Sequence, residues 1–318
     1  MLTRLQNGLR LIGRQIHGSK SSWGIRLNSE ERTQRTWAKV IDSYESIPEI
    51  YKDFFRPGFS EGQPFPYIVL TPSFETLGYR INEKLVCAFD REIQILERNR
   101  KELVVQCYPL EGISYVEVSS MLLDSRIRIN GMARDGNLTS SIVRFSTATD
   151  YVLAPVLKRI RLYKVESKEA VQKRELEKFD PWLGLNFKFM NFARNSLLGG
   201  EKVLCTILQP EVNKGIFTFL GRTYYRTISP THACILTDRE LILIREEALE
   251  KRHDKYGGIW DYIPVSKIAS LSMDRKNGNL LVLTIHLDRN ECFKCLFQAS
   301  MENEVDQLIA RFTEVNSL

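Results

Sequence analysis

The sequence predicts a mainly β protein with helices, built from two β-barrels that are each capped by a C-terminal helix and joined by a helical linker. Three short sequence blocks in the first half of the chain recur in the second half, in the same order. Apolar residues at helical spacing follow the third block in each half. At 318 residues the chain is also long enough for two ordinary domains, since cores of roughly 100 to 150 residues are commonest.

The repeat rests on near-constant spacing between the blocks. The tripeptide Asp-Arg-Glu lies between apolar runs in both copies, as expected for a tight turn between two strands. Three matches in register are hard to obtain by chance, so we interpret them as one unit present twice. The matched positions are 148, 155 and 152 residues apart: Asp90 with Asp238, Pro109 with Pro264, and Phe145 with Phe297.

This periodicity divides the chain into four parts. Residues 59–163 and 199–318 are the two predicted modules, residues 1–58 form an N-terminal amphipathic or helical extension, and residues 164–198 form the helical linker. The closing helix of the first module is expected to begin near Ala154, because proline is tolerated in a first turn and Pro155 follows. Apolar residues at helical spacing in the linker favour packing against a domain over a groove for a cofactor or a partner.

The pattern of the second copy resembles the bacterial PH-like (pleckstrin-homology-like) domain family. In that family a threonine and a charged turn join two apolar strands, and an Ile-Pro-x-x-x-Ile strand follows. The second copy has this order in Leu236–Ile244 and Tyr262–Ile268, whereas the first copy has Phe89 in place of the threonine. The resemblance implies a tandem pair of such domains, each with two bent antiparallel sheets closed by a helix. It implies little about the ligand, because function on such scaffolds lies in the loops.

The resemblance also indicates where an anion would bind. PH domains that bind inositol phosphates hold the phosphate groups with basic residues of the first strand-loop-strand. A plain extra hairpin also has alternating polar and aromatic residues, so both interpretations stay open. The candidate ligand-binding or anion-binding residues are Lys214, Arg222, Arg226, Tyr224 and Tyr225.

The N-terminal segment is predicted to form an amphipathic helix without acidic residues. Such a helix suits an anionic membrane surface, and it equally suits a targeting presequence or docking on the first module. Gly8 and Gly13 weaken the helix by about 1 kcal/mol each. The candidate membrane-contact residues are Arg4, Arg10, Arg14, Leu5, Leu9 and Ile12.

Other classes of function find little support in the sequence. A net charge of +6 without a dense basic face argues against nucleic acid, and no apolar run is long enough for a transmembrane segment. Six scattered cysteines favour a reducing, cytoplasmic compartment over a secreted disulfide framework.

We predict no cofactor and no metal, because Cys292 and Cys295 lie in an apparent strand and point to opposite faces. His232 and Cys234 share a strand face, but no third group orients the histidine for catalysis.

The sequence therefore predicts a non-catalytic adaptor that recognises a protein partner, not an enzyme. The alternative is a peripheral membrane protein that binds anionic lipid through the basic N-terminal helix and the basic-aromatic loop of the second module.

Overall fold

The computed structural model describes residues 37–55, 65–76, 79–99, 102–121, 124–163, 170–219, 222–246, 257–276, 279–289 and 291–317. The six predicted membrane-contact residues, Arg4 to Arg14, lie outside these ranges, so their role stays a prediction.

The first half of the chain contains ten described strands and two helices. The strands are β1 (Lys39–Ile41), β2 (Tyr67–Thr71), β3 (Phe74–Thr76), β4 (Tyr79–Ile81), β5 (Lys84–Ala88), β6 (Glu92–Asn99), β7 (Glu102–Pro109), β8 (Ile113–Met121), β9 (Asp124–Met132) and β10 (Leu138–Phe145). The helices are α1 (Glu49–Phe55) and α2 (Asp150–Arg161).

The second half contains nine described strands and three helices. The helices are α3 (Lys173–Glu177), α4 (Phe187–Ser196) and α5 (Glu302–Asn316). The strands are β11 (Val203–Gln209), β12 (Val212–Phe219), β13 (Arg222–Ser229), β14 (His232–Thr237), β15 (Glu240–Arg245), β16 (Gly258–Pro264), β17 (Ile268–Lys276), β18 (Leu280–Leu287) and β19 (Cys292–Gln298).

The two halves repeat one order of elements. We call β2–β10 with α2 the N-terminal unit, and β11–β19 with α5 the C-terminal unit. In the first, the strand order β2-β5-β6-β7 is followed by β8-β9-β10; in the second, β11-β14-β15-β16 is followed by β17-β18-β19. Each unit also has a separate hairpin, β3-β4 or β12-β13, after its first strand. The repeated Asp-Arg-Glu tripeptides therefore lie at matching turns, β5 to β6 and β14 to β15.

Small irregularities recur as well. A 3-10 turn follows a proline in both units, at Leu110–Gly112 and Val265–Lys267. The next strand then has a bulge in its pairing at the same place, between Ile113 and Tyr115 and between Ile268 and Ser270. In the C-terminal turn the Thr237 hydroxyl accepts hydrogen bonds from the backbone of Arg239 (3.1 Å) and Glu240 (3.0 Å).

The prediction of two β-barrels is wrong. Within the described ranges the strands form five antiparallel sheets, and none of them closes on itself. The reason lies at the two prolines: Pro109 and Pro264 lack an amide hydrogen, and the 3-10 turn after each lets the chain leave one sheet for another. Strand β7 consequently does not pair with β8, nor β16 with β17.

The prediction of a helical linker between separate modules is also wrong. Strand β16 pairs directly with β8, with Gly258–Tyr262 alongside Val116–Ser120, so one seven-stranded sheet runs through both units. We call this β8–β16 pairing the seam. A Cβ atom on Gly257 would lie 2.5 Å from the Ser120 carbonyl oxygen, so glycine is what allows the close approach. Helices α3 and α4 pack on this sheet and do not act as a spacer.

Four apolar clusters hold the layers together. In each unit the two sheets and the closing helix enclose one cluster, and the fully buried Phe297 belongs to that of the C-terminal unit. A third cluster joins α4 to the other face of the seven-stranded sheet through Phe189, which is also fully buried. The fourth packs α1 on the first sheet of the N-terminal unit through Tyr51. Both faces of the first sheets are thus covered, which explains the continuous burial of Lys84–Ala88.

The first closing helix begins earlier than predicted. Helix α2 starts at Asp150 after a 3-10 turn, and it contains Pro155 instead of beginning beside it.

The described residues include no helix with both the length and the apolar character needed to cross a membrane.

Candidate functional site: a hairpin and the pocket at its base

The β12-β13 hairpin is the part of the C-terminal unit that differs most from its counterpart. Each of its strands has eight residues, whereas those of the β3-β4 hairpin have three. Its described side chains are largely in solvent, including Ile216 (60% exposed) and Tyr225 (66%). An extended hairpin that exposes apolar and aromatic side chains is unusual for a surface that contacts only water.

The pairing register places three predicted site residues on one face of this hairpin. Lys214 lies directly opposite Arg226, and Tyr224, two residues before Arg226, shares its face. Tyr225 lies opposite Gly215 on the other face. Strand β13 begins at Arg222, whose side chain lies outside the described part of the structure.

Two like charges directly opposite each other on a hairpin repel, and so weaken the pairing by roughly 0.2–1 kcal/mol. Lys214 and Arg226 are both exposed, so water screens most of this repulsion in the isolated chain. An anionic group between the two side chains would relieve it. The face is therefore suited to a carboxylate or a phosphate next to an aromatic or apolar group.

A pocket of about 380 Å³ opens at the base of the hairpin. Its walls come from the end of β13, from β14 to β16 and from β19. The polar lining residues are Ser229, His232, Arg245, Glu246, Asp261, Lys294 and Cys295; the others are Ile228, Pro230, Ala233, Leu243, Ile244, Ile259, Phe293 and Leu296. A mostly apolar cavity with a few fixed polar groups is typical of a site that receives a small molecule or a partner's side chain.

His232 is a buried hydrogen-bond acceptor in this pocket. Its Nδ1 lies 3.0 Å from the Pro230 carbonyl oxygen and donates to it, while its Nε2 is buried and has no hydrogen-bond partner in the described ranges. Burial lowers the pKa of His232, so the ring is neutral near pH 7. Nε2 is thus a buried acceptor whose hydrogen-bonding capacity is unused within the described ranges.

Asp261 is a polar residue that lines the pocket, and it belongs to β16, a strand of the seam. It is fully buried and lies opposite Glu117 of the N-terminal unit. Arg245 bridges the two acids, 3.2 Å from an Asp261 oxygen and 3.0 Å from a Glu117 oxygen. Burial raises the pKa of Asp261 to about 7, although Arg245 opposes this shift. The lining of the pocket therefore includes a second buried acceptor besides His232.

The cysteines of the site are not arranged for chemistry on a metal. Among the described residues no three Asp, Glu, His or Cys side chains cluster closely enough to hold an ion. Cys295 lines the pocket and Cys292 is exposed. A hydrogen bond with Cys295, followed by burial, raises the pKa of Cys234 well above its ordinary value, so this thiol stays protonated. A protonated thiol is a poor nucleophile.

The pocket was not foreseen from the sequence. It combines strands that are distant along the chain, and the charged residue in the apolar stretch Gly258–Pro264 was the one signal that could have indicated it. A carboxylate is almost never fully buried unless it is paired, so Asp261 in that stretch favours a specific partner or a site. The sequence identifies His232 as a candidate residue, but it does not show that His232 and Asp261 line the same pocket.

Comparisons with known protein families and with curated proteins find no match to this chain.

Proposed function

We propose that this chain is a non-catalytic binding protein, built from tandem PH-like units, whose C-terminal unit recognises a protein partner. The partner segment carries a carboxylate for the hairpin and a side chain with a hydrogen-bond donor for the pocket. The observation that carries this proposal is the exposed face with Lys214, Tyr224 and Arg226 beside a pocket with two buried acceptors. We propose a cytoplasmic location, because all six cysteines are free thiols, and three of them, Cys87, Cys205 and Cys234, are buried.

The chemistry of the pocket supports binding over catalysis. Its histidine is neutral and donates one ring hydrogen to the backbone, and Arg245 holds Asp261 in an ion pair. Neither group lies beside an activated nucleophile, since Cys234 is fully buried and protonated.

The second candidate function is binding to anionic lipid. It is favoured by the facing charges of Lys214 and Arg226, because a phosphate would relieve their repulsion as well as a carboxylate would. The pocket makes the protein partner the better candidate, since a lipid headgroup on the hairpin would leave the buried acceptors without a role.

The test is a charge reversal on the hairpin, Lys214→Glu with Arg226→Glu, against a matched control. The control, Arg91→Glu with Lys158→Glu, changes the net charge equally on exposed residues of the N-terminal unit. Each chain is used to capture proteins from its source cells, with quantitative mass spectrometry as the readout. We expect a protein that the wild type and the control retain and the hairpin variant loses.

Recovery of the same proteins by all three chains would contradict the proposal. Co-sedimentation with vesicles of phosphatidylcholine, with and without phosphatidylserine, separates the two candidates. Binding that requires phosphatidylserine and disappears only in the hairpin variant would assign the hairpin to lipid.

A further inference from the structure

We propose that copies of this chain associate head to tail, with β7 of one copy pairing with β17 of the next. This contact repeats between molecules the seam that joins the two units within one molecule. It does not depend on the proposed partner site, because it uses other strands.

The seam has a defined place in the repeated unit. The last strand of one unit's first sheet, β16, pairs with the first strand of the other unit's second sheet, β8. The counterparts of these two strands are β7 and β17. In the described part of the chain both are edge strands, since β7 pairs only with β6 and β17 only with β18. A free strand edge presents unpaired backbone groups to another chain.

The internal repeat also determines the register of the contact. Pro109 and Pro264 end β7 and β16, and Ile113 and Ile268 begin β8 and β17, so a separation of 155 residues relates both pairs of strands. Each residue of β16 in the seam has its counterpart in β7, 155 residues earlier, and each residue of β8 has its counterpart in β17, 155 residues later. The expected pairs are therefore Leu103 with Arg275, Val104 with Asp274, Val105 with Met273 and Gln106 with Ser272.

Two observations limit the contact to these four residues. The Cys107 carbonyl oxygen already accepts a hydrogen bond from the Arg134 amide at 2.8 Å. At the other end, Glu102 of β7 is the counterpart of Gly257 in the seam. Gly257 has no side chain and can approach the opposite backbone closely, whereas the side chain of Glu102 would collide with it. The intermolecular contact is therefore shorter and weaker than the seam.

The facing residues are compatible with pairing. Val104 is 44% exposed, so a second strand would cover apolar surface there, and no two like charges lie opposite each other. Gln106 and Ser272 take the places of Asp261 and Glu117, so this contact needs no arginine to neutralise buried acids. Each copy presents one strand of each kind, so the contact is heterologous and leaves a free edge at both ends.

The test changes the charge opposite Asp274. Val104→Asp places two carboxylates opposite each other and is expected to weaken association, whereas Val104→Lys is expected to strengthen it, by about two- to fivefold each. Val104→Asp combined with Asp274→Lys restores an attractive pair and is the control for misfolding. The measurement is sedimentation velocity of the full chain over a range of concentrations.

A second measurement tests the register. A chain with Gln106→Cys and Ser272→Cys should form a ladder of disulfide-linked dimers, trimers and larger species that collapses on reduction. A chain with Gln106→Cys and Lys276→Cys should not exceed the wild type under the same conditions, because four residues out of register is too far for a disulfide. A wild type that is monomeric at every concentration, equal effects of the two Val104 variants, or a ladder that stops at the dimer would overturn the proposal.

Discussion

The two units share their strands but differ in what surrounds them. The N-terminal unit has a short hairpin, and β16 covers its β8 edge. The C-terminal unit has a long exposed hairpin, and no strand of the described ranges pairs with its β17 edge. Strand β1 and helix α1 cover one first sheet, while α3 and α4 cover the other. The duplicated strands form the core, and the parts added around them create the surfaces that we propose for binding.

The largest effect is expected from the cores of the two units. Phe145 and Phe297 are matching residues of the two cores, and replacing either by alanine should lower the free energy of unfolding by about 3–5 kcal/mol. Because the seam makes one sheet of both units, we expect a single denaturant transition that both substitutions shift. Two transitions, of which each substitution moves only one, would show that the units fold independently.

The next effect concerns the joint between α2 and the C-terminal unit. The Arg161 guanidinium donates to Glu240 (3.1 Å) and to the Ser196 carbonyl oxygen (2.7 Å), and it lies 3.7 Å from the centre of the Tyr262 ring. Arg161→Met leaves Glu240 buried without its partner, so we expect a loss of roughly 3 kcal/mol in urea unfolding.

The exposed pair of Arg159 with Asp90 is the matched control for this joint. Arg159→Met should cost less than about 1 kcal/mol, since water screens an exposed pair. Equal losses for the two arginines would mean that burial at the joint contributes nothing.

A smaller effect, with a defined pH dependence, is expected at Glu201, two residues before β11. Burial, and then the charge of Glu240, raises the pKa of Glu201 from 4.5 to about 7. The unfolded state therefore loses its proton first, and the stability of the wild type falls as the pH rises from 4.5 to 7. Glu201→Gln should match the wild type at pH 4 and exceed its stability by up to about 3 kcal/mol at pH 8.

Glu175 should behave in the opposite way. Burial acts to raise its pKa, but hydrogen bonds from Lys178 and from the Val203 amide outweigh this and lower it. Glu175→Gln should therefore be less stable than the wild type at pH 8, with the difference shrinking in acid as the wild type loses its own charge. Thermal unfolding from pH 4 to 8 measures both variants, and a gain for both at pH 8 would contradict this assignment.

Much of the fold could be predicted from the sequence, because it depends on local patterns. The turn at Asp238, the strand after Pro264 and the apolar stripe of α5 each follow from residues close together in the chain. The seam could not be predicted. Alternating residues in β8 show which face is buried, but they do not show which strand lies at its edge. The pocket could not be predicted for the same reason, since His232 and Asp261 come to line one cavity only after β14, β15 and β16 have paired.

The hairpin graft tests the functional difference between the units most directly. A chain whose residues 213–227 are replaced by residues 74–81 of the N-terminal unit should unfold at nearly the same denaturant midpoint. The described side chains of this segment, at 213–216 and 223–227, are exposed, and substitutions at such positions usually change stability by about 0.5 kcal/mol or less. The account predicts that this chain fails to capture the partner that the wild type retains. Full retention of that partner by the grafted chain, with an unchanged midpoint, would contradict it.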